Sequence, residues 1–242
     1  MIALYLKEVN SFLDSLTAYI VIGVFLLFTG LYTWVFPDQN VLDYGFATMD
    51  VLFNSGPYIL LFIIPAITMK SFAEERKTGT YEILFTKPLS DMQIILAKYL
   101  ATYTLSALAI LPTLVYAYSI YELGSPKGNL DIASVAGSYV GLLLLAALFT
   151  ALGIMASAIT DNQIVAYIIA VFLCYMFYTG FDTISTLDVF FSQSLLIKKL
   201  GIMVHYDTLS RGLIDMGDVL YFVSAIIITL HSVALYLSHR AQ

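Results

Sequence analysis

Apolar residues run in six long blocks along this chain, separated by short stretches rich in charge, Gly and Pro. The blocks are roughly Leu16–Phe36, Leu52–Met69, Ile94–Tyr118, Ser134–Ala158, Gln163–Phe181 and Val219–Leu237. Each supplies the about 20 mostly apolar residues that a helix needs to cross a bilayer. The third and fourth are long enough to tilt or to extend past the hydrocarbon. A different pattern precedes the first block. Ile2, Leu6, Val9, Phe12, Leu13 and Leu16 recur at helical spacing, with Lys7, Asn10, Ser11 and Asp14 largely off that stripe. This predicts an amphipathic helix over residues 1–15 lying in the membrane interface, unless the segment simply extends span one. Between spans five and six, Leu187, Phe190, Phe191, Leu195, Leu196 and Leu200 return every three or four residues. The pattern predicts one or two short helices within residues 182–217, on or dipping into the opposite interface. The alternative is an inert lid over the spans.

Composition narrows the class. Of 242 residues, 60% are hydrophobic and 12% charged, against about 25% charged in soluble domains. The expectation is an all-α, polytopic membrane protein forming one six-span domain over residues 1–242. The net charge of −6 and the lack of a basic aromatic patch argue against nucleic acid as a partner. A single cysteine, Cys174, excludes an intrachain disulfide and reads as a small core hydrophobe. No cleavable signal peptide is evident.

An even number of spans places both termini on one side. With the termini inside, Lys7, Lys70, Arg76, Lys77, Lys87, Lys98 and Arg240 are cytoplasmic, and Lys127, Lys198, Lys199 and Arg211 are external. This positive-inside bias predicts cytoplasmic termini. Within the spans, ionisable groups read as almost absent. His231 is the chief exception, a functional candidate by default but one that a single hydroxyl or carbonyl satisfies. Such spans argue against a proton relay or an ion-coupled carrier. Pro65 and Pro112 are candidate kinks. Gly137-x-x-x-Gly141 offers a close-packing face, within the subunit or between two.

The densest charge lies between spans two and three, in residues 71–90. Glu74, Glu75, Arg76 and Lys77 precede a Gly79-Thr80 turn. Thr80–Phe85 is predicted as a short helix with Tyr81, Leu84 and Phe85 on one face and Glu82 off it, stopped before Pro88. Ser90-Asp91-Met92-Gln93 then reads as a capping box opening span three, with Leu89 and Ile94 as its hydrophobic staple. A solvated loop needs no apolar face, whereas a loop that docks into another protein does.

At Glu74-x-Arg76-x-x-Gly79-Thr80-x-Glu82-x-Leu84-x-x-x-Pro88 the chain resembles the cytoplasmic coupling segment of type-2 ABC transporter permeases. Lys7-Glu8 through Phe12 and Ala18-Tyr19 resembles that family's N-terminal interfacial segment. His205-Tyr206-Asp207 through Arg211-Gly212 to Tyr221 resembles the external segment of one branch. That branch holds the gliding-motility-associated permease and the permease of nitrous oxide reductase maturation.

The resemblance implies a permease subunit of an ATP-driven transporter in a bacterial inner membrane, exporting or associated with gliding motility. It implies a cytoplasmic ABC ATPase partner that binds the ATP and Mg, with no cofactor bound by this chain. It also implies homodimers, or heterodimers with a membrane subunit carrying an external domain. The partner contact would comprise Glu74, Glu75, Arg76, Gly79, Thr80, Tyr81, Glu82, Leu84, Phe85 and Pro88.

On the external side Lys198 and Lys199 are candidates for lipid phosphates. Arg211, Asp215 and Asp218, at i, i+4 and i+7, would form one charged face if helical. No P-loop, HExxH, GxSxG or CxxC occurs, so enzymatic and metal chemistry is not expected of this chain. The residues alone leave two rivals open: an ATP-independent channel or carrier, and a scaffold that anchors an ATPase without transport.

Overall fold

A computed structural model describes residues 1–37, 40–79, 90–187 and 194–240. Among these residues the protein is helical, with no strand. Helix α1 is Ile2–Leu13, α2 Leu16–Trp34, α3 Val41–Tyr44, α4 Asp50–Thr68 and α5 Ala73–Lys77. Then follow α6 Asp91–Ile110, α7 Leu114–Leu123, α8 Ile132–Ile159, α9 Gln163–Tyr175, α10 Phe181–Ser185, α11 Ser194–Leu200, α12 Ile202–Ser210 and α13 Met216–Arg240.

Six stretches are long and apolar enough to cross a membrane: Leu16–Trp34, Asp50–Lys77, Asp91–Leu123, Ile132–Ile159, Gln163–Ser185 and Met216–His239. They correspond one to one with the six blocks of the sequence. The second runs on into α5, because the turn after Thr68 keeps helix-like hydrogen bonds: Met69 N donates to the Pro65 carbonyl and Glu74 N to that of Lys70. The third is interrupted at Pro112 by a 3₁₀ turn, Leu111–Thr113, where proline removes a backbone donor. Pro65 stays within α4, as does Pro57. The fifth contains a π turn, Met176–Gly180.

Helix α8 is the axis of the bundle, packed against α4, α6, α9, α12 and α13. Its small residues permit this. A Cβ at Gly137 would come 2.7 Å from the Gly212 carbonyl oxygen, and one at Gly141 would come 2.7 Å from Leu209 Cβ. The Gly-x-x-x-Gly face is therefore spent within the subunit, against the link that leaves α12. Gly212 takes φ +76°, a left-handed conformation that suits glycine. Ser138 Oγ and Ser134 Oγ donate to the carbonyls of Ser210 and Arg211 and fix the same junction. Cys174 is fully buried against α8, as a core hydrophobe.

Helix ends follow sequence-local chemistry. Ser90 opens α6 through the expected capping box, with Gln93 N donating to Ser90 Oγ and Ser90 N to Gln93 Oε1. Asp131 accepts from the amides of Ala133 and Ser134 at the start of α8. Gly79 has φ +71°, and its amide donates to the Arg76 carbonyl, so the chain turns there as expected. The expected helix Thr80–Phe85, its stop at Pro88 and the staple residue Leu89 lie outside the described residues.

Helix α1 packs on α6. Leu4 is buried there, and the Tyr5 and Thr104 hydroxyls are hydrogen-bonded at 3.0 Å. The face turned inward carries Leu4, Tyr5, Glu8 and Phe12. Ile2, Leu6, Leu13 and Leu16, on the anticipated apolar stripe, remain exposed. The amphipathic pattern is thus used on two sides: one dry patch meets α6, the other stays free.

Candidate functional site

The face that carries both termini gathers the densest charge around α5. Three positions hold this five-residue helix. At its entrance, Ser157 Oγ in α8 accepts the amides of Phe72 (3.0 Å) and Ala73 (3.2 Å) and donates to the Met69 carbonyl (3.1 Å). The hydroxyl thereby satisfies two of the amides that a helix start leaves open. On one flank, Arg76 Nη1 reaches Asp161 Oδ1, in the link between α8 and α9, at 3.4 Å, with only 7% of the Arg76 side chain exposed. On the other flank, Glu75 Oε1 meets Lys98 Nζ at 2.8 Å.

Lys98 lies two turns into α6 and its side chain is 1% exposed. This corrects the sequence reading of the spans as almost free of charge. Its ammonium faces Glu75, stands 3.5 Å from Glu8 Oε1 of α1, and lies 5.2 Å from the centroid of the Phe72 ring. Lys7 completes the group, 3.3 Å from Glu8 and 4.0 Å from Glu75. Two cations and two carboxylates from α1, α5 and α6 thus neutralise one another at the edge of the apolar core. A buried lysine is tolerated on this condition, because an unpaired buried charge is far more costly than a paired one. The aromatic face of Phe72 adds a favourable contact.

A crevice of about 340 Å³ opens between α1 and α5, lined in part by Lys7, Ser11, Lys70, Ser71, Glu74 and Lys98. Lys70 Nζ donates to Thr17 Oγ1 at its wall.

The partner-contact residues named from sequence therefore divide. Glu74 is exposed at the crevice rim. Glu75 and Arg76 turn inward, so their charges hold α5 to the rest of the protein rather than face outward. Gly79 ends the described segment, and Thr80, Tyr81, Glu82, Leu84, Phe85 and Pro88 lie outside the described residues. Sequence reasoning missed Glu8, Lys98, Ser157 and Asp161. A lysine inside an apolar block was the available signal for Lys98. Nothing local marks Ser157 or Asp161.

On the opposite face, residues 211–215 are not helical, so the conditional charged face of Arg211, Asp215 and Asp218 does not form. The chain breaks at Gly212. Asp215 caps α13, its Oδ1 accepting from Gly217 N at 3.1 Å. Asp218 instead meets His205, 2.6 Å away. Lys198 pairs with Asp182 at 3.1 Å, and Lys199 is exposed. Arg211 lines a crevice of about 420 Å³ with Asp50, Asn54 and Asp207. Burial pushes the Asp207 carboxyl above its ordinary range, opposed by Arg211 and reinforced by Asp182. His231 is exposed on α13 and makes no hydrogen bond among the described residues, so the single-partner structural role expected of it is not seen.

A family model described as ABC-2 family transporter protein matches residues 37–198, about two thirds of the chain. No curated protein matches it.

Proposed function

The chain belongs to the ABC-2 family of transporter proteins, and on that footing we propose that it transmits the ATP-driven motion of a separate ATPase subunit to a bundle of membrane spans. Family and apolar helices together make it a multi-pass membrane protein and a permease subunit. The face with α1, α5 and both termini is the cytoplasmic one in this reading. Lys7, Lys70, Arg76, Lys77 and Lys98 cluster there, in keeping with the positive-inside bias. The membrane is a bacterial inner membrane, and ATP and Mg bind to the partner.

The observation that carries the reading is the seat of α5. The ATPase docks on the segment that follows it, with Glu74 at the rim and Tyr81, Glu82, Leu84 and Phe85 as the contact. A push there reaches α6 and α1 through Glu75, Lys98 and Glu8. It reaches α8 and α9 through Ser157 and Arg76–Asp161. Rigid-body displacement of spans then follows. Two such bundles, in a homodimer or with a second membrane subunit bearing an external domain, form the path, and the resemblance to gliding-motility permeases favours export or force transmission.

Purification of the complete chain from its own membranes in mild detergent tests this. ATPase activity sensitive to vanadate is expected to co-purify. Leu84→Asp with Glu82→Arg is expected to abolish that co-purification while the chain still inserts. An unmodified chain that carries no ATPase activity, or a double variant that retains it, overturns the proposal.

A further inference from the structure

Helix α13 is held along one side. Phe222, Leu230, Val233 and Leu237 are buried there, and the helix packs against α8 and α6. Only 17% of its span is buried. The outward side presents Leu220, Ser224, Ile227, His231 and Ser238, all exposed, with Ala234 half-buried. Successive positions in this row are alternately four and three residues apart, a heptad pattern along the whole span.

Lipid alone does not satisfy this row. Ser224 and Ser238 donate their hydroxyl hydrogens to the Tyr221 and Leu235 carbonyls of their own helix. His231 makes no hydrogen bond among the described residues, and acyl chains offer it none. An ionisable side chain left in hydrocarbon without a partner is costly. Its depth adds to the problem. The Tyr236 hydroxyl donates to the carbonyl of Ile159, the last residue of α8. His231 lies five residues, about 7.5 Å of helix rise, further in. Helical side chains lean toward the N-terminus, so the ring leans away from the nearer membrane edge. Other rim faces differ. Val24, Leu27 and Phe28 of α2 and Ile164, Ile168 and Phe172 of α9 are outward and apolar, as lipid requires.

We propose that the row on α13 is a contact between two copies of the chain, with the helices parallel and the two His231 rings bonded to each other. The inference rests on the pairing of two bundles put forward for transport, and names a surface that they share. Copies inserted in one membrane keep one orientation. A two-fold axis between them therefore lies along the membrane normal, and equal residues meet at equal depth. Only a self-complementary row can close in this way. A neutral imidazole carries one donor and one acceptor, so two rings form one N–H···N bond. No Asp, Glu, Lys or Arg, which would repel its own copy, occurs from Val219 to Ser238. The small side chains of Ser224, Ala234 and Ser238 let two backbones approach. A polar residue in one heptad layer also fixes register.

Cysteine cross-linking of the complete chain in membranes tests the surface. Cys174 is buried, so cysteines placed singly along α13 report on their own positions. With copper phenanthroline, cross-linked dimer is expected to peak at positions 220, 224, 227, 231, 234 and 238. Leu27→Cys and Ile168→Cys, on the other rim spans, are expected to give little. Energy transfer between donor- and acceptor-labelled chains in liposomes then reads the role of the ring. His231→Leu is expected to weaken pairing by about three- to twentyfold, the loss of one interhelical hydrogen bond. His231→Gln, which keeps a donor and an acceptor, is expected to recover most of it. Thermal unfolding of the separated chain should not change in either variant. Cross-links without the heptad period, or His231→Leu protein that pairs like the parent, would overturn the contact. Dimers cross-linked through Leu27→Cys or Ile168→Cys instead would overturn this surface and leave paired bundles standing. A chain that pairs at no position would overturn both. Vanadate-sensitive ATPase activity, scored on the same membranes, registers failure of the ATPase reading separately.

Discussion

Lys98 is the residue on which the termini-bearing face turns. It is shielded almost completely, yet its three charged neighbours come from helices distant in sequence: Glu75 from α5, and Glu8 and Lys7 from α1. Lys98→Met removes the cation and leaves two shielded carboxylates facing each other. The expected cost is about 3–5 kcal/mol of stability, nearer the lower end because Lys7 still contacts both. Lys98→Met with Glu75→Gln is expected to recover much of that loss, since removing both members of a buried pair costs far less than removing one. Unfolding in detergent, run as a double-mutant cycle, measures the coupling. A cycle with no coupling would mean that the pair does not hold α5 in place. Hydropathy made Lys98 look like an ordinary flanking cation, because it lies near the end of its block. Its burial depends on a partner 90 positions away, which periodicity cannot supply.

Among elements, the short α5 depends most on a neighbour. Five residues cannot sustain a helix alone, and Ser157 of α8 is what receives its open amides. Ser157→Ala would leave the Phe72 and Ala73 amides without this partner in a dry junction. A loss of about 1–3 kcal/mol is expected, with faster amide exchange confined to residues 70–78. Unfolding and exchange in the same detergent check both. Long elements were legible in advance. All six spans follow from apolar length, the Ser90 capping box from four adjacent residues, and the turn at Gly79 from its lack of a side chain. The junction after α12 was not. Its spacing allowed a continuous helix through Arg211, Asp215 and Asp218, but α8 approaches so closely at Gly137 that the chain turns at Gly212. A tertiary contact there overrides the local pattern. The inward turn of Glu75 and Arg76 has the same origin, because charge density alone does not say which way a side chain faces.

For the molecule as a whole, burial is strongly graded from axis to rim. The span of α8 is 78% buried, whereas those of α2 and α13 are 28% and 17% buried. Rim residues such as Ile228, 69% exposed, face outward, while Leu145 on the axis is sealed. Leu145→Ala is therefore expected to cost about 2–5 kcal/mol, whereas Ile228→Ala should fall within about 0.5 kcal/mol of the parent. Thermal unfolding in one detergent compares the two, and equal losses would contradict the graded packing.

Which side of a rim span looks inward is itself a matter of angle. In span five, Ala166, Ala170 and Cys174 point to the core. An α-helix advances about 100° per residue, so a row taken at every fourth position swings about 40° per step. From Ala166 to Cys174 the inward row has already rotated by about 80°. The π turn at Met176–Gly180 packs more residues into one revolution and lets the row fall back. Tyr178 returns to the interior, with ring centroids 5.6 Å from Tyr58, 6.0 Å from Phe149 and 6.2 Å from Tyr206. The wide turn acts as a phase correction, keeping one stripe of span five aimed at the core past Cys174.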